Sequence, residues 1–460
     1  MKTQTKTTHM ETGSIPKLLA QLAIPAVVAQ VINLLYNIVD RIYIGHIPGI
    51  GAAALTGVGL FTPILMLLNA FAMLVGSGGA PRAAIAMGKK DNDLAEKLLG
   101  NCFTLLVGLA VVLTIVFYVS APTLLRLFGA SDATLTYATD YARIYILGSF
   151  FVLIVLGMNT FITTQGFAKI SMMTTIIGAV INIILDPIFI FALHMGVRGA
   201  ALATIVSQAL SCTWVLHFLM GKKSYLKIHR CNMKLKKDII LPSLALGLST
   251  FIMQSSESII SVCFNSSLLK YGGDLAVGAM TILTSAMQFA LLPLQGLGQG
   301  AQPIISYNYG ASNAERVKAA FWLLLKINMI YATVLWALVM LIPGVFAGIF
   351  TSNAELIEFT IPALRIYMAV MFLFGIQISC QITFNSLGKA LESIIVAVVR
   401  KFVLLIPLIY IVPMIWNSDR TMAVYMAEPI ADFFAITFTV LLFRVRFRDA
   451  LKKIQKPTGK

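Results

Sequence analysis

The sequence predicts an all-α integral membrane protein. Its twelve transmembrane helices are expected to form two parallel six-helix repeats, an N-lobe and a C-lobe, around a central cavity. Three observations support this prediction. The composition is more apolar than that of a soluble domain, twelve apolar segments follow one another along the chain, and the second half of the sequence repeats the first.

The composition limits the class of protein. Of the 460 residues, 58% are hydrophobic and 12% are charged, whereas soluble domains are about 45–50% apolar and about 25% charged. A membrane-spanning helix needs about 20 mostly apolar residues, so the chain can supply roughly a dozen. This excludes a soluble globular enzyme, a disordered chain and a coiled coil. An outer-membrane barrel is disfavoured because its strands alternate apolar and polar residues.

The apolar segments are separated by short connections, and the longest polar connection, 221–237, lies at the middle of the chain. The first segment is too long and too interrupted for a signal peptide, so we expect an uncleaved first span. The predicted spans, numbered 1 to 12 in chain order, are 16–44, 52–80, 98–120, 138–164, 170–195, 199–220, 239–265, 276–306, 319–342, 358–386, 391–413 and 421–443.

The basic residues predict the orientation in the membrane. The net charge is +16, and with a cytoplasmic N-terminus 25 Lys and Arg residues of the connecting and terminal segments fall inside and 5 outside. Cytoplasmic loops are enriched in Lys and Arg, so both termini are expected in the cytoplasm, with the protein in the cell (inner) membrane. Topology and contact with anionic lipids account for the excess charge. We therefore expect the lipid bilayer, and no nucleic acid, as a partner.

A shift of 222 residues aligns identical residues in the two halves without a gap. Each repeat contains six spans, so both enter the membrane from the same side, as in many secondary transporters. The predicted parts are an N-lobe at 1–220, a basic cytoplasmic linker at 221–237, a C-lobe at 238–445 and a basic cytoplasmic tail at 446–460. The aligned pairs include Gly76 with Gly298, Gly78 with Gly300, Pro81 with Pro303, Gly88 with Gly310, Arg143 with Arg365, Tyr145 with Tyr367 and Gly166 with Gly388.

Polar side chains inside two spans of the N-lobe predict an ion site. Lipid does not solvate such groups, so they are expected to face the bundle interior or water. In span 5, Asn182 and Asp186 share a helical face, and Pro187 frees a carbonyl oxygen and kinks the helix. The two carboxylates, Asp40 and Asp186, are expected at similar depth and can hold a proton or a sodium ion between them. One face of span 1 presents, at helical spacing, Gln30, Asn33, Asn37 and Asp40.

Further polar residues extend the predicted cavity. The alternative for each amide or hydroxyl is a hydrogen bond that joins two helices, and the roles of Glu428 and Asp432 in span 12 stay open between a site and packing. Glu257, an acid in an apolar span, is expected to stand alone and to favour cationic ligands. The predicted substrate cavity comprises Asn33, Asn37, Glu257, Gln288, Gln377 and Gln381.

Four motifs give the chain a resemblance to a known family. They are VDRIYIGH at 39–46, NIILDPIFIF at 182–191, GAALATIVSQ at 199–208 and GLGQGAQPIISYNYGA at 296–311. The chain resembles the multidrug and toxic compound extrusion (MATE) family, in its bacterial branch. The resemblance implies a cation-coupling cluster of Asp40, Asn159, Asn182, Asp186 and Thr204. A bound Na⁺ would be held by Asp40, Asn182, Asp186 and Thr204.

The C-lobe departs from part of the family pattern. Family members with an aspartate in span 10 would use it, with the glutamate of span 7, as a sodium site. Here span 10 carries Gln377, Gln381 and Asn385 instead. The resemblance therefore favours ion coupling through the N-lobe.

The sequence and the resemblance together predict a secondary antiporter that exports amphipathic, often cationic drugs or toxins in exchange for H⁺ or Na⁺. We expect a monomer that confers drug resistance, with no cofactor beyond the coupling ion and no enzymatic activity. One alternative is a flippase of lipid-linked oligosaccharides, whose cavity would need several Arg or Lys residues. Another is a membrane-embedded enzyme, for which the sequence offers no HExxH motif.

Overall fold

The computed structural model describes residues 7–351 and 353–455, and within them the chain is helical apart from short connections, with no strand. Two segments, Ile188–Ala192 and Val399–Leu405, are π-helical, and Arg230–Met233 and Met371–Leu373 form 3₁₀ turns. The α-helices are α1 Thr7–Thr12, α2 Ile15–Gly45, α3 Gly51–Gly88, α4 Asn92–Leu127, α5 Asp132–Thr164, α6 Ala168–Pro187, α7 Val197–Met220, α8 Lys237–Gly310, α9 Ala314–Leu341, α10 Pro343–Phe350, α11 Ala354–Tyr367, α12 Phe374–Ser386, α13 Ala390–Val398, α14 Ile406–Ile415 and α15 Arg420–Gln455.

The described helices account for twelve spans. Ten are long and apolar enough to cross a bilayer, and α11 and α12, bent by 44° at the break between them, form an eleventh. The 74 residues of α8 would extend about 110 Å at 1.5 Å per residue, far more than one bilayer. Gly273 interrupts α8 with φ 64° and ψ −161°, a conformation that is essentially limited to glycine. The helix is therefore two spans, α8a (237–272) and α8b (274–310).

Contacts at the two ends of α8 confirm that it is a hairpin. Arg82 of α3 donates a hydrogen bond to the carbonyl oxygen of Ile239 at 2.6 Å, close to the start of α8. Gly310, the last residue of α8, packs against Ile85 of the same helix α3. Both ends of α8 therefore lie at one depth in the bundle, and the predicted fold class is confirmed.

The chain ends and the linker lie on one face of the bundle, which we call the linker face. Arg316 donates hydrogen bonds to the carbonyl oxygens of Met10 at 3.0 Å and Gly13 at 2.7 Å. Asn101 donates to the carbonyl oxygen of Asn232 in the linker at 3.0 Å. The end of α15 lies beside the turn at 311–315. Both described termini are thus on the same side, as an even number of spans requires.

The apolar core shows how the two lobes meet. One cluster of buried residues, near the linker face, contains residues of both lobes. Two other clusters are each confined to one lobe, with the C-lobe cluster including Phe264 and Tyr425 and the N-lobe cluster including Phe61 and Leu125. The lobes therefore pack together at the linker face and have separate cores towards the opposite face.

Glycines allow close contacts between the lobes. A β-carbon on Gly88 would lie 2.0 Å from the carbonyl oxygen of Tyr307, and one on Gly310 would lie 2.1 Å from that of Ile85. Gly88 and Gly310 are equivalent in the 222-residue repeat, and so are Ile85 and Tyr307. The two lobes therefore meet at the linker face through a pair of matching contacts, which we call the glycine contacts.

Candidate functional site

The N-lobe contains a cavity of about 350 Å³, within the usual range for small-molecule sites. Spans 1, 2, 4, 5 and 6 form its walls, and α8b of the C-lobe contributes Gln299 and Gln302 at its edge. Five of the predicted site residues line it, and they are Asn33, Asn37, Asp40, Asn159 and Thr204.

The two acids of the predicted ion site come together beside this cavity. Asp186 is fully buried and Asp40 is 8% exposed, and their carboxyl groups interact with each other. Asn182 donates hydrogen bonds to Asp186 at 3.0 Å and to the Thr204 hydroxyl at 3.4 Å. The structure thus assembles four of the predicted coupling residues around one point.

Three oxygen atoms of this cluster are free to accept. Asp40 Oδ1, Asn182 Oδ1 and Asp186 Oδ2 are buried, and none has a hydrogen-bond partner among the described residues. A buried acceptor without a partner carries an energetic cost that a bound cation or proton removes. Carboxylate and amide oxygens are the ligands that hard cations prefer. The arrangement is suited to one proton or one small cation.

The local backbone explains how Asp186 is presented. Pro187 directly follows it, and the helix continues as the π-helical segment Ile188–Ala192, in which Leu193 donates to the carbonyl oxygen of Ile188 at 2.9 Å. Such wide turns inside helices are frequent at functional sites. Gly199 of α7 packs against the backbone of Phe189, and this close approach brings Thr204 towards Asn182.

Asn159 lies apart from the acid pair. Its side chain accepts a hydrogen bond from Thr174 at 3.2 Å and donates one to the carbonyl oxygen of Ser171 at 3.2 Å. Thr174 is eight residues, or about 12 Å of helix, before Asn182. Asn159 therefore lines the cavity, but in a separate polar patch.

Aromatic residues that the sequence analysis missed form one wall of the cavity. Tyr36, Tyr141 and Tyr145 line it, and Tyr141 stacks on Tyr145 with ring centroids 5.9 Å apart. Phe61 supports both rings from behind, at 5.6 and 5.2 Å. Tyr36 lies one helical turn before Asp40, a spacing that would have placed it on the polar face of span 1.

The predicted glutamines of the C-lobe do not line this cavity. Gln288 is exposed, and Gln381 donates a hydrogen bond to the Ser393 hydroxyl at 2.6 Å. Gln377 is buried, and its Oε1 and Nε2 atoms are without a hydrogen-bond partner among the described residues.

The prediction that Glu257 stands alone is wrong. Lys401 donates a hydrogen bond to its Oε1 atom at 2.7 Å. The neighbouring Arg400 binds Asp432 at 2.7 Å and approaches Glu428 at 3.6 Å, so the acids of span 12 are ion-pair partners. Two adjacent basic residues within an apolar span were the signal for this cluster, because charged residues at membrane depth are rare and functional by default.

Comparison with known proteins places the chain in a family. The sequence pattern of the MatE family matches residues 25–188 and 248–411, one segment in each lobe. The chain belongs to the MATE family. It is thus a transporter and not an enzyme, as the sequence analysis expected.

Relatives match over nearly the whole length of this MATE protein. It is 25% identical to the multidrug export protein MepA of Staphylococcus haemolyticus over 443 residues, which cover 95% of this chain and 96% of the relative. A crystal structure of MATE in the bent conformation matches with a TM-score of 0.91, 26% identity and coverage of 98% and 100% of the two chains. An outward-facing multidrug resistance MATE transporter matches with a TM-score of 0.89, 27% identity and the same coverage.

Proposed function

We propose that this MATE transporter is an antiporter that exports amphipathic, often cationic drugs or toxins across the cell membrane in exchange for H⁺ or Na⁺. The observation that carries the proposal is the buried Asp40–Asp186 pair, with three oxygen atoms that lack a hydrogen-bond partner among the described residues. An ion that binds there relieves the repulsion and the desolvation of two carboxylates. Asn159 belongs to the wall of the same cavity.

The neighbouring cavity supports a cationic, amphipathic substrate. Its tyrosine wall offers aromatic faces, which attract cations, and Asp40 adds a carboxylate at the same wall. A lipid-linked pyrophosphate would need basic residues, and none of the residues that line the described cavity is Lys or Arg. The cavity therefore favours drug export over the flippase alternative.

Exchange follows if the ion and the substrate stabilise different arrangements of the lobes. A ligand shifts a conformational equilibrium only by its difference in affinity for the two states. Asp186 lies two residues before the π-helical segment, where occupancy by an ion can change the bend of span 5. Ion binding and drug release are thereby linked, and we propose a monomer as the working unit, with both termini in the cytoplasm.

The test uses purified protein in liposomes that are loaded with ethidium, with a pH gradient or a sodium gradient imposed separately. The unaltered protein should drive ethidium transport under at least one gradient. Asp186→Asn keeps the size of the side chain but removes its charge, and should abolish gradient-driven transport while the protein stays folded. The matched control is Asp274→Asn, at an exposed acid. Transport by Asp186→Asn at near the unaltered rate would contradict coupling through the N-lobe.

A further inference from the structure

The C-lobe contains a compact cluster of five charged side chains that the proposed ion coupling does not use. Lys401 pairs with Glu257 at 2.7 Å, and Arg400 pairs with Asp432 at 2.7 Å and with Glu428 at 3.6 Å. The guanidinium of Arg400 also lies 4.9 Å from the centre of the Phe374 ring. Three carboxylates thus share two cations.

The accessibility of the five side chains is uneven. The Glu257 side chain is 52% exposed, whereas that of its partner Lys401 is 4% exposed. The side chains of Arg400, Glu428 and Asp432 are 2–8% exposed. Glu257 is therefore the one member of the described cluster whose side chain a ligand can reach.

The exposed part of Glu257 lies where the lobes begin to separate. The adjacent Ser258 contacts the sulfur of Met66 in the N-lobe at 3.8 Å. About two helical turns before Ser258, Phe251 packs on Phe71 of the N-lobe, with ring centroids 4.9 Å apart. Beyond this level the apolar cores of the two lobes are separate. A ligand in the space between the lobes can thus approach Glu257.

We propose that Lys401 is a tethered cation that occupies Glu257 in the absence of ligand, and that the cationic group of a transported compound displaces it. This inference rests on the proposed function, because it assigns a second contact point to the same cationic substrates. In this proposal Glu257 binds the cationic group of the substrate in the C-lobe. Lys401 determines how strongly that group must bind in order to displace it.

A displaced Lys401 has a second acceptor nearby. Glu428 belongs to the same cluster, because it contacts Arg400, the residue next to Lys401 in the chain, and this contact is loose at 3.6 Å. Leaving a buried ammonium without a partner is strongly unfavourable. The movement of Lys401 from Glu257 towards Glu428 avoids this cost, so Glu428 is the positioning residue for the exchange.

The test measures equilibrium binding of tetraphenylphosphonium, a permanent lipophilic cation, to purified protein in detergent with no gradient. Triphenylphosphine oxide is the neutral probe. Lys401→Met removes the competitor and should bind the cation about tenfold more tightly or better, with no change for the neutral probe. Glu257→Gln with Lys401→Met removes both partners, which is better tolerated than removal of one, and should lose the entire gain.

Glu428→Gln distinguishes the movement of Lys401 between two acids from a static ion pair. It should weaken cation binding when Lys401 is present, because the displaced ammonium loses its acceptor, and should have no effect in the Lys401→Met background. If Lys401→Met does not fold, Lys401→Gln, which retains a hydrogen-bond donor, should give a smaller gain of the same sign.

Two results would overturn the proposal. One is a lysine variant that binds the cation no more tightly than the unaltered protein, and the other is a double variant that keeps the gain. Absence of cation binding in all variants would also overturn the proposal. Failure of the antiport proposal is distinguishable, since it would appear as a lack of gradient-driven transport in liposomes whatever the binding results.

Discussion

The glycine contacts predict that a single methyl group can change which face of the transporter is closed. A β-carbon on Gly310 would lie 2.1 Å from the carbonyl oxygen of Ile85, whereas carbon–oxygen contacts normally begin at about 3.3 Å. Gly310→Ala therefore requires the two backbones to separate by about 1.2 Å. Because the obstacle is backbone on a packed helix, a side-chain rotation cannot relieve it.

The size of the effect follows from the cost of overpacking. Extra atoms in a packed core typically cost about 1–3 kcal/mol. This cost applies only to the state in which the lobes touch at the linker face, so the equilibrium should shift towards separation of that face by about 5- to 150-fold. Gly88→Ala should act in the same direction, since its β-carbon would meet Tyr307 at 2.0 Å.

The assay is a distance distribution between two spin labels, measured by pulsed electron paramagnetic resonance. The labels are attached through Lys89→Cys and Glu315→Cys, two exposed positions at the linker-face ends of α3 and α9. Cys231, which is also exposed, is first replaced by serine. Gly310→Ala should increase the population at long distance.

The control is Gly108→Ala, because a β-carbon on Gly108 would have no neighbouring atom within 4 Å. It should leave the distances unchanged. If Gly310→Ala and Gly88→Ala are folded and both give the unaltered distribution, the glycine contacts do not hold the linker face closed, and the reasoning is refuted.

Two further predictions concern topology and stability. In intact cells an impermeant maleimide should not label the exposed Cys231 of the linker. It should label Asp274→Cys in a Cys231→Ser background, because Asp274 adjoins the break at Gly273, on the face opposite the linker. The reverse pattern would place the linker outside. Arg400→Met should lower the free energy of unfolding by about 3–5 kcal/mol, because it leaves the buried Asp432 without a cation. The addition of Asp432→Asn should restore much of the melting temperature. A double variant that shows no recovery would contradict the loss of the ion pair as the cause.

Much of the fold could be predicted from the sequence because lipid imposes a simple rule. Each span must be apolar over about 20 residues, so the twelve segments stand out individually. The 222-residue offset predicted that Gly88 and Gly310 are equivalent, and the structure shows them in matching contacts. The break at Gly273 falls between two predicted spans, although α8 runs through it.

The pairing of side chains across helices could not be predicted. Glu257 and Lys401 are 144 positions apart, and helical periodicity shows which face of a helix is polar but not which helix faces it. The same limit applies to the linker, where polar composition suggests exposure. Ser224 is nevertheless buried, because Gln165 accepts hydrogen bonds from its hydroxyl at 3.0 Å and from the backbone of Leu226 at 2.9 Å. That burial makes Cys231 a better reporter of topology than a cysteine at Ser224.

The repeat gives a physical reason for proposing the ion site in one lobe only. Spans 5 and 11 are equivalent in the 222-residue offset, and each contains a π-helical segment. The two segments do not align, because Ile188–Ala192 would fall on 410–414, whereas the segment of span 11 is Val399–Leu405. In the N-lobe, Asp186 lies two residues before the segment and next to Asp40, and both acids have an oxygen atom that lacks a hydrogen-bond partner among the described residues. In the C-lobe, Arg400 and Lys401 lie within the segment and already supply cations to the nearby acids. An external ion gains little where the chain provides its own positive charge, so the exchangeable ion is expected in the lobe where the carboxylates have no internal cation.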